Sequence, residues 1–317
     1  MAPVRRSANG GHSLTPRTGD NAAKHAARKQ LETNAEIEMS VDATNRVRQD
    51  WESQANSWYQ ERDALLTASR PIHEWLVRKL EPRDGQRVLE IAAGPGDTGF
   101  LAAKQLGSGR LVSTDLASSM VDAARRRGAE LGVENADYRT LDAQAMDCAD
   151  ASFDGVICRW GFMLMPDPAA ALRECRRVLV PGGRLVFAVF TGPDENAFAS
   201  LPARVLIDAG HLQRPAPGAW QPGILALGDR ARVQSLVDGI GFSSTHLEPV
   251  DMTWRFADAD AYWKFLVDLT ALGPLVRSLA AEARDAVRSA IDARLIQYAG
   301  ADGIALPSRC WCGVAIR

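Results

Sequence analysis

Residues 88–99 read VLEIAAGPGDTG. An apolar, β-prone run breaks into a turn of small residues and resumes as a helix. Val88 to Ile91 predicts a strand, with Glu90 its only polar member. Gly94, Gly96 and Gly99 supply the turn, and Gly99 to Leu106 reads as a helix. Strand, glycine turn and helix in that order make the first crossover of a doubly wound α/β sheet. Glycine suits the turn because the chain reverses tightly and a ligand approaches the backbone with no Cβ between them. The helix start then offers free N–H groups to that ligand.

The rest of the chain must supply a partner for that turn, and its composition narrows the classes. With 317 residues, 46% of them hydrophobic, it can bury a large core. A net charge of −2 gives no reason to expect a nucleic-acid partner. No apolar run is long enough to span a bilayer. The first residues lack an apolar central segment, so no secretory signal is expected. Five cysteines, an odd number, read as reduced thiols in a cytoplasmic protein. Cys310 and Cys312 lie on one side of an expected strand as core or pocket lining. No nearby Cys or His pair completes a metal site, so no metal is implied.

Taken in order, residues 1–45 read as a disordered tail, poor in aliphatics, with six Lys or Arg and only Asp20 as an acid before residue 31. Residues 46–84 read as an N-terminal helical cap. Val47, Trp51, Ala55 and Trp58 form one stripe, and Ile72, Trp75, Leu76 and Leu80 form another on a helix opening near Pro71. His73 lies beside that stripe as a surface or half-buried residue. Residues 85–191 read as the ligand-binding core. After the first strand come strands at Arg110–Asp115, Asp137–Leu141, Phe153–Cys158 and Arg184–Phe190, with helices at Ala117–Leu131 and after the Asp167-Pro168 cap. Residues 192–317 hold helices near Ala197–Ala209, Ala231–Gly241, Ala259–Leu272 and Leu275–Tyr298, and strands at Phe242–Glu248 and Arg309–Ile316.

Three acids then fall on three neighbouring strand ends: Glu90, Asp115 and Asp142. Asp115 lies where a carboxylate accepts both hydroxyls of a ribose, and Asp142 where it accepts an adenine amino group. Gly94-Pro-Gly96-Asp-Thr-Gly99 also matches a dinucleotide fingerprint, which keeps an NAD(P)-dependent oxidoreductase open. Against it, Glu90 would sit near a pyrophosphate. No Tyr followed four residues later by Lys appears in the second half. A ligand without phosphates that carries an ammonium group suits Glu90 better.

On VLEIAAGPG (88–96), VSTDLASSM (112–120), LDAQAM (141–146), SFDGVICRWGFMLMPD (152–167) and LVPGGRLVF (179–187), the chain resembles the class I S-adenosylmethionine-dependent methyltransferases, in particular the small-molecule group of the ubiquinone/menaquinone-biosynthesis type. The likeness implies a Rossmann-like, mostly parallel sheet of seven strands, the last antiparallel, with helical lid insertions that form the acceptor pocket. It implies S-adenosyl-L-methionine as cofactor. Glu90 would order the methionine ammonium, while Ala92, Gly94 and Gly96 allow close backbone approach. Asp115 would bind the ribose, Leu116, Met120 and Trp58 would pack on or cover the adenine, and Asp142 and Ala143 would contact its edge. Arg159 and Trp160 would lie near the methionine end. Ala92 stands where many members have glycine, and the turn tolerates it if its φ stays negative.

The acceptor is expected to be a small, apolar or aromatic molecule, methylated by in-line displacement. Trp160, Trp254 and Tyr262 are candidates to touch it. An aromatic face such as Trp160 would add attraction for the sulfonium. His211, His246, Tyr262 and Asp268 are the candidates for a general base, which is needed only if the acceptor is not already ionised. A methyltransferase-like binding protein without turnover is the remaining alternative. Nothing in the sequence sets the oligomeric state.

Overall fold

A computed structural model describes residues 42–214 and 220–317. The chain divides into two units, Met1–Ala43 and Thr44–Arg317, and the second holds every element below. The tail expected over 1–45 lies, as far as residue 41, outside the described residues.

Within this second unit helix α1 runs over residues 44–60, and α2 covers Arg62–Leu80. The second stripe is the buried face expected: Ile72, Trp75, Leu76 and Leu80 are all in the core. Pro71 does not open this helix but sits inside it. Its missing N–H would have bonded the carbonyl of Thr67, and both residues are exposed, so that carbonyl is open to solvent. The helix ends on Glu81 in the left-handed region, φ 52°.

The sheet follows the expected sequence. It runs β1 (Arg87–Glu90), α3 (Asp97–Ala103), β2 (Arg110–Asp115), α4 (Ser118–Glu130), β3 (Ala136–Thr140), β4 (Phe153–Arg159), α5 (Pro168–Val178) and β5 (Leu179–Phe190). Then come α6 (Ala197–Asp208), α7 (Arg230–Asp238), β6 (Ser244–Phe256), α8 (Ala259–Leu269), α9 (Gly273–Ser278), α10 (Ala281–Leu295), β7 (Ala299–Gly300) and β8 (Gly303–Ile316). Strand order is β3-β2-β1-β4-β5-β8-β6, with the two-residue β7 on β8. The first five strands pair in parallel, and β8 runs antiparallel between β5 and β6. Leu185 to Phe190 are all fully buried, as a strand covered on both faces requires.

Several boundaries differ from the sequence reading. β5 opens not at Arg184 but at Leu179, ahead of Pro181-Gly182-Gly183. Leu179 already pairs with Phe153, and the chain bulges before Arg184 pairs with Gly155. Gly182 supplies the left-handed φ of 80° there. The long helix expected over 275–298 is broken, because Leu279 and Ala280 are extended, with ψ of 145° and 150°. β6 and β8 are far longer than expected. Their pairing runs on from Val250 with Cys310 to Phe256 with Ile304, past the row in which β5 ends at Phe190. That ribbon overhangs the carboxyl edge of the sheet.

Candidate cofactor-binding site

The turn after β1 is held from both sides. Ile91 donates to the carbonyl of Ile157 and Ala93 to that of Thr114, each at 2.9 Å. Past these anchors the backbone turns through Gly94 and Gly96 at φ 54° and 87°. A Cβ on Gly96 would strike the ring of Phe100, whereas the space above Gly94 is open for 4 Å. Ala92 departs from expectation: its φ is +49°, in the left-handed region that costs a side-chain-bearing residue energy. The two anchoring bonds fix the chain on either side of it and hold it there.

Strand register brings the three acids to one edge. Glu90 stands opposite Ser113, Asp115 stands opposite Thr140, and Asp142 follows two residues later. Glu90 is fully buried. It accepts the Gly99 amide hydrogen at 2.8 Å and the Ser113 hydroxyl at 3.3 Å. Burial outweighs these bonds and pushes its carboxyl up to about 8. Asp115 accepts from the amides of Gly94 (2.9 Å) and Ala117 (3.0 Å), one on each oxygen. Its burial raises it to about 6, with those bonds opposing. Asp142 is half-buried and accepts the Gln144 amide at 2.8 Å. Each oxygen of Glu90 and Asp115 keeps a lone pair beyond these bonds, whereas the same Asp142 oxygen also accepts the Gln144 side-chain amide at 3.2 Å.

Around this edge lie an apolar patch and a cation. Met120, Ala117 and Ala55 form a small buried cluster with Trp58 and Trp51 against it. The Trp58 indole N–H is buried and finds no partner among the described residues. Leu116 and Ala143 line the neighbouring strand ends, half-buried and buried. Arg159, the last residue of β4, is half-buried, with its guanidinium 4.4 Å from the Trp160 ring centroid. An orphaned donor, an open backbone turn, three acids and one arginine fit an adenosyl amino acid without phosphates.

Three contacts escaped the sequence reading. Glu52 on α1 accepts the amides of Ser118 and Ser119 at 2.7 and 2.9 Å, capping α4 from outside. The residue before that helix is Ala117, which has no side chain to cap with. That lack was the available signal. Asp97 and Arg127 form a buried pair at 3.2 Å across the start of α3. His73 is not at the surface; it is buried against Ser69 and Thr98, its ring nitrogens at 2.8 and 2.9 Å.

The acceptor candidates gather in one place, but as packed core. Trp160, at φ 61°, stacks on Phe190 with centroids 4.6 Å apart, and its N–H points to the Cys310 sulfur at 3.3 Å. Phe198, Trp254, Phe256, Tyr262 and Phe265 continue that cluster. With Phe190 and Arg159 against it, the Trp160 ring has little face to offer a sulfonium. Tyr262 is fully buried and donates its hydroxyl to the Phe198 carbonyl at 2.9 Å. The Trp254 N–H is buried with no partner among the described residues.

The remaining base candidates are not brought together. Asp268 pairs with Lys264 at 3.6 Å. His211 sits in the turn after α6. His246 lies exposed on the edge strand β6, four strands from Glu90 and roughly 19 Å across the sheet, paired with Glu248.

Comparison with known proteins gives the family. Residues 88–183 match a family model described as a methyltransferase domain. The ubiquinone/menaquinone biosynthesis C-methyltransferase UbiE of a Ruegeria species is 40% identical over 119 residues, covering 37% of this chain and 46% of its own length. The UbiE of Cellvibrio japonicus is 30% identical over 172 residues, covering 51% and 69%. The chain thus spans about half the length of the first curated relatives it matches. Among solved structures, the YcgJ protein of Bacillus subtilis superposes with a TM-score of 0.51 at 18% identity, over 77% of this chain and 97% of that one. This likeness speaks for the fold alone. The nicotinamide alternative finds no support among these relatives. The acidic strand tips, the glycine turn and the UbiE relatives together place the chain: it belongs to the class I S-adenosylmethionine-dependent methyltransferases, and it resembles the ubiquinone/menaquinone-biosynthesis type.

Proposed function

We propose that this protein transfers the methyl group of S-adenosylmethionine to a small, apolar or aromatic molecule by in-line displacement. The observation that carries this reading is the Asp115 carboxylate, held by the Gly94 and Ala117 amides at the mouth of the glycine turn. From there its free lone pairs take the ribose hydroxyls. Glu90 takes the ammonium, Arg159 the carboxylate, and Gly94 and Gly96 the close backbone approach. Leu116, Met120 and Trp58 enclose the adenine, while Asp142 and Ala143 meet its edge.

Bound S-adenosylmethionine supplies an intrinsically reactive methyl, so the chain's own part is positioning and the exclusion of water. The ribbon of β6 and β8 that overhangs the carboxyl edge supports this role, as a wall between the methyl and solvent. Helices α6, α8 and α9 complete the wall around the acceptor. No side chain is assigned as a general base. The Tyr262 hydroxyl is already committed to Phe198, and His246 lies on the far edge. An acceptor that ionises by itself, such as an acidic phenol or enol, needs none.

Calorimetric titration of the purified protein with S-adenosylhomocysteine and with NADH tests the cofactor. Binding of the first and not the second is expected, and the reverse would overturn the reading. Mass spectrometry of a panel of flat aromatic acceptors then tests turnover. Tight binding with no methylated product from any of them would favour a non-catalytic protein.

A further inference from the structure

His73 is a buried residue to which the cofactor reading gives no task, yet it lies within one hydrogen-bonded line that ends at the site. The Ser69 hydroxyl donates its single proton to the Leu65 carbonyl at 2.6 Å. It can therefore only accept from His73 Nε2, 2.8 Å away. That nitrogen carries the hydrogen, and Nδ1 is an acceptor. The Thr98 hydroxyl, 2.9 Å from Nδ1, donates to it. Its oxygen in turn accepts the Nε hydrogen of Arg159 at 3.3 Å. Every proton in the line is thus accounted for with a neutral imidazole. Burial and the neighbouring Arg159 both hold the ring well below its ordinary pKa, which keeps it neutral. Ser69, His73 and Thr98 are each about 1% exposed, so water does not substitute for any link.

The consequence falls on Arg159. Its Nε–H is drawn back toward Thr98, which leaves the two terminal nitrogens as the forward fork of the guanidinium. The fork geometry matches a carboxylate. We propose that His73 is a positioning residue: through Thr98 it fixes the Arg159 guanidinium in the orientation that receives the carboxylate of the cofactor's amino-acid end. The inference rests on the cofactor assignment above. It makes α2, outside the sheet, part of the machinery that reads the amino-acid portion of the ligand.

Two ligands separate this role from a merely structural one. S-adenosylhomocysteine carries the carboxylate; 5′-methylthioadenosine has the same nucleoside and lacks the amino acid. His73→Phe removes both ring nitrogens and is expected to weaken S-adenosylhomocysteine about tenfold while moving methylthioadenosine less than about twofold. His73→Asn returns an acceptor near the Nδ1 position and is expected to recover most of the loss. Equal weakening of both ligands by His73→Phe, or none, would overturn the proposal. If that variant does not fold by circular dichroism, Thr98→Val breaks the same line at its next link and must show the same contrast. Wild-type protein that binds neither ligand would sink the cofactor assignment itself, an outcome distinct from loss of the contrast.

Discussion

The Glu90 carboxylate lies where a side chain on Gly99 would begin. It accepts the Gly99 amide hydrogen at 2.8 Å, and a Cβ on that glycine would run into its carboxyl carbon and the Leu111 methyl, both under 3 Å away. Gly99→Ala is therefore expected to destabilise the free protein by about 1–3 kcal/mol. It should also weaken S-adenosylhomocysteine more than tenfold, because Glu90 must move. Denaturant unfolding and calorimetry check the two effects.

Glu90 also makes binding depend on pH. Burial lifts its carboxyl from the ordinary range to about 8, so the free protein holds it protonated at pH 7. An ammonium group beside it favours the carboxylate and drives the proton off. Close to one proton should be released per ligand at pH 7, seen as a buffer-dependent heat, and Glu90→Gln should abolish it. Affinity should rise from pH 6 to 8. Stability of the free protein runs the other way. The folded state holds more protons than the unfolded one between the two pKa values, so the contribution is present at low pH and lost as pH rises through about 8. The slope is at most about 1.4 kcal/mol per pH unit. The melting temperature should fall less from pH 6 to 9 in Glu90→Gln than in the wild type.

Asp115 sets a second limit on binding, on the same acidic side. Its carboxylate must be ionised to accept both ribose hydroxyls, and burial raises it to about 6. Affinity should drop as pH falls through that value. Asp115→Ala is expected to cost about 2–3 kcal/mol of binding, roughly a hundredfold, since it removes two charge-assisted hydrogen bonds. An unchanged calorimetric affinity would remove the ribose assignment.

Ala92 sits at φ +49°. Glycine holds that conformation without the Cβ contact, worth about 1 kcal/mol after its own entropic cost. Ala92→Gly should raise the melting temperature by about 2–4 °C and leave ligand affinity intact.

Tyr262 donates to the Phe198 carbonyl from full burial. Tyr262→Phe is expected to cost about 1 kcal/mol of stability and to change methyl transfer less than about twofold. A loss of turnover at unchanged affinity would return Tyr262 to the list of bases.

What the residues disclosed in advance follows from how local each signal is. The glycine turn, the apolar strands and the acids at their ends are short-range patterns, and Glu90, Asp115 and Asp142 do meet at one edge. The sign of φ at Ala92 depends on two bonds to other strands, from Ile91 to Ile157 and from Ala93 to Thr114, so no local rule reveals it. Trp160, also left-handed at 61°, is the same case just past β4. The break at Leu279 and Ala280 carries no Gly or Pro to mark it. His73 shows only a helix position, and its burial is decided by Ser69 and Thr98 closing over it. The aromatic residues of the last third were legible as large and apolar. Whether they line a pocket or fill a core is a question of partners, and here Phe190, Phe198, Phe256 and Phe265 supply them.

β8 pairs with β5 on one side and with β6 on the other. Both neighbours are made before it on the ribosome. The five parallel strands, with their turn and acids, pair without β8, whereas β6 joins the sheet only through it. Among the described residues, the last strand of the chain is therefore the one link between the overhanging ribbon and the half of the sheet that carries the glycine turn.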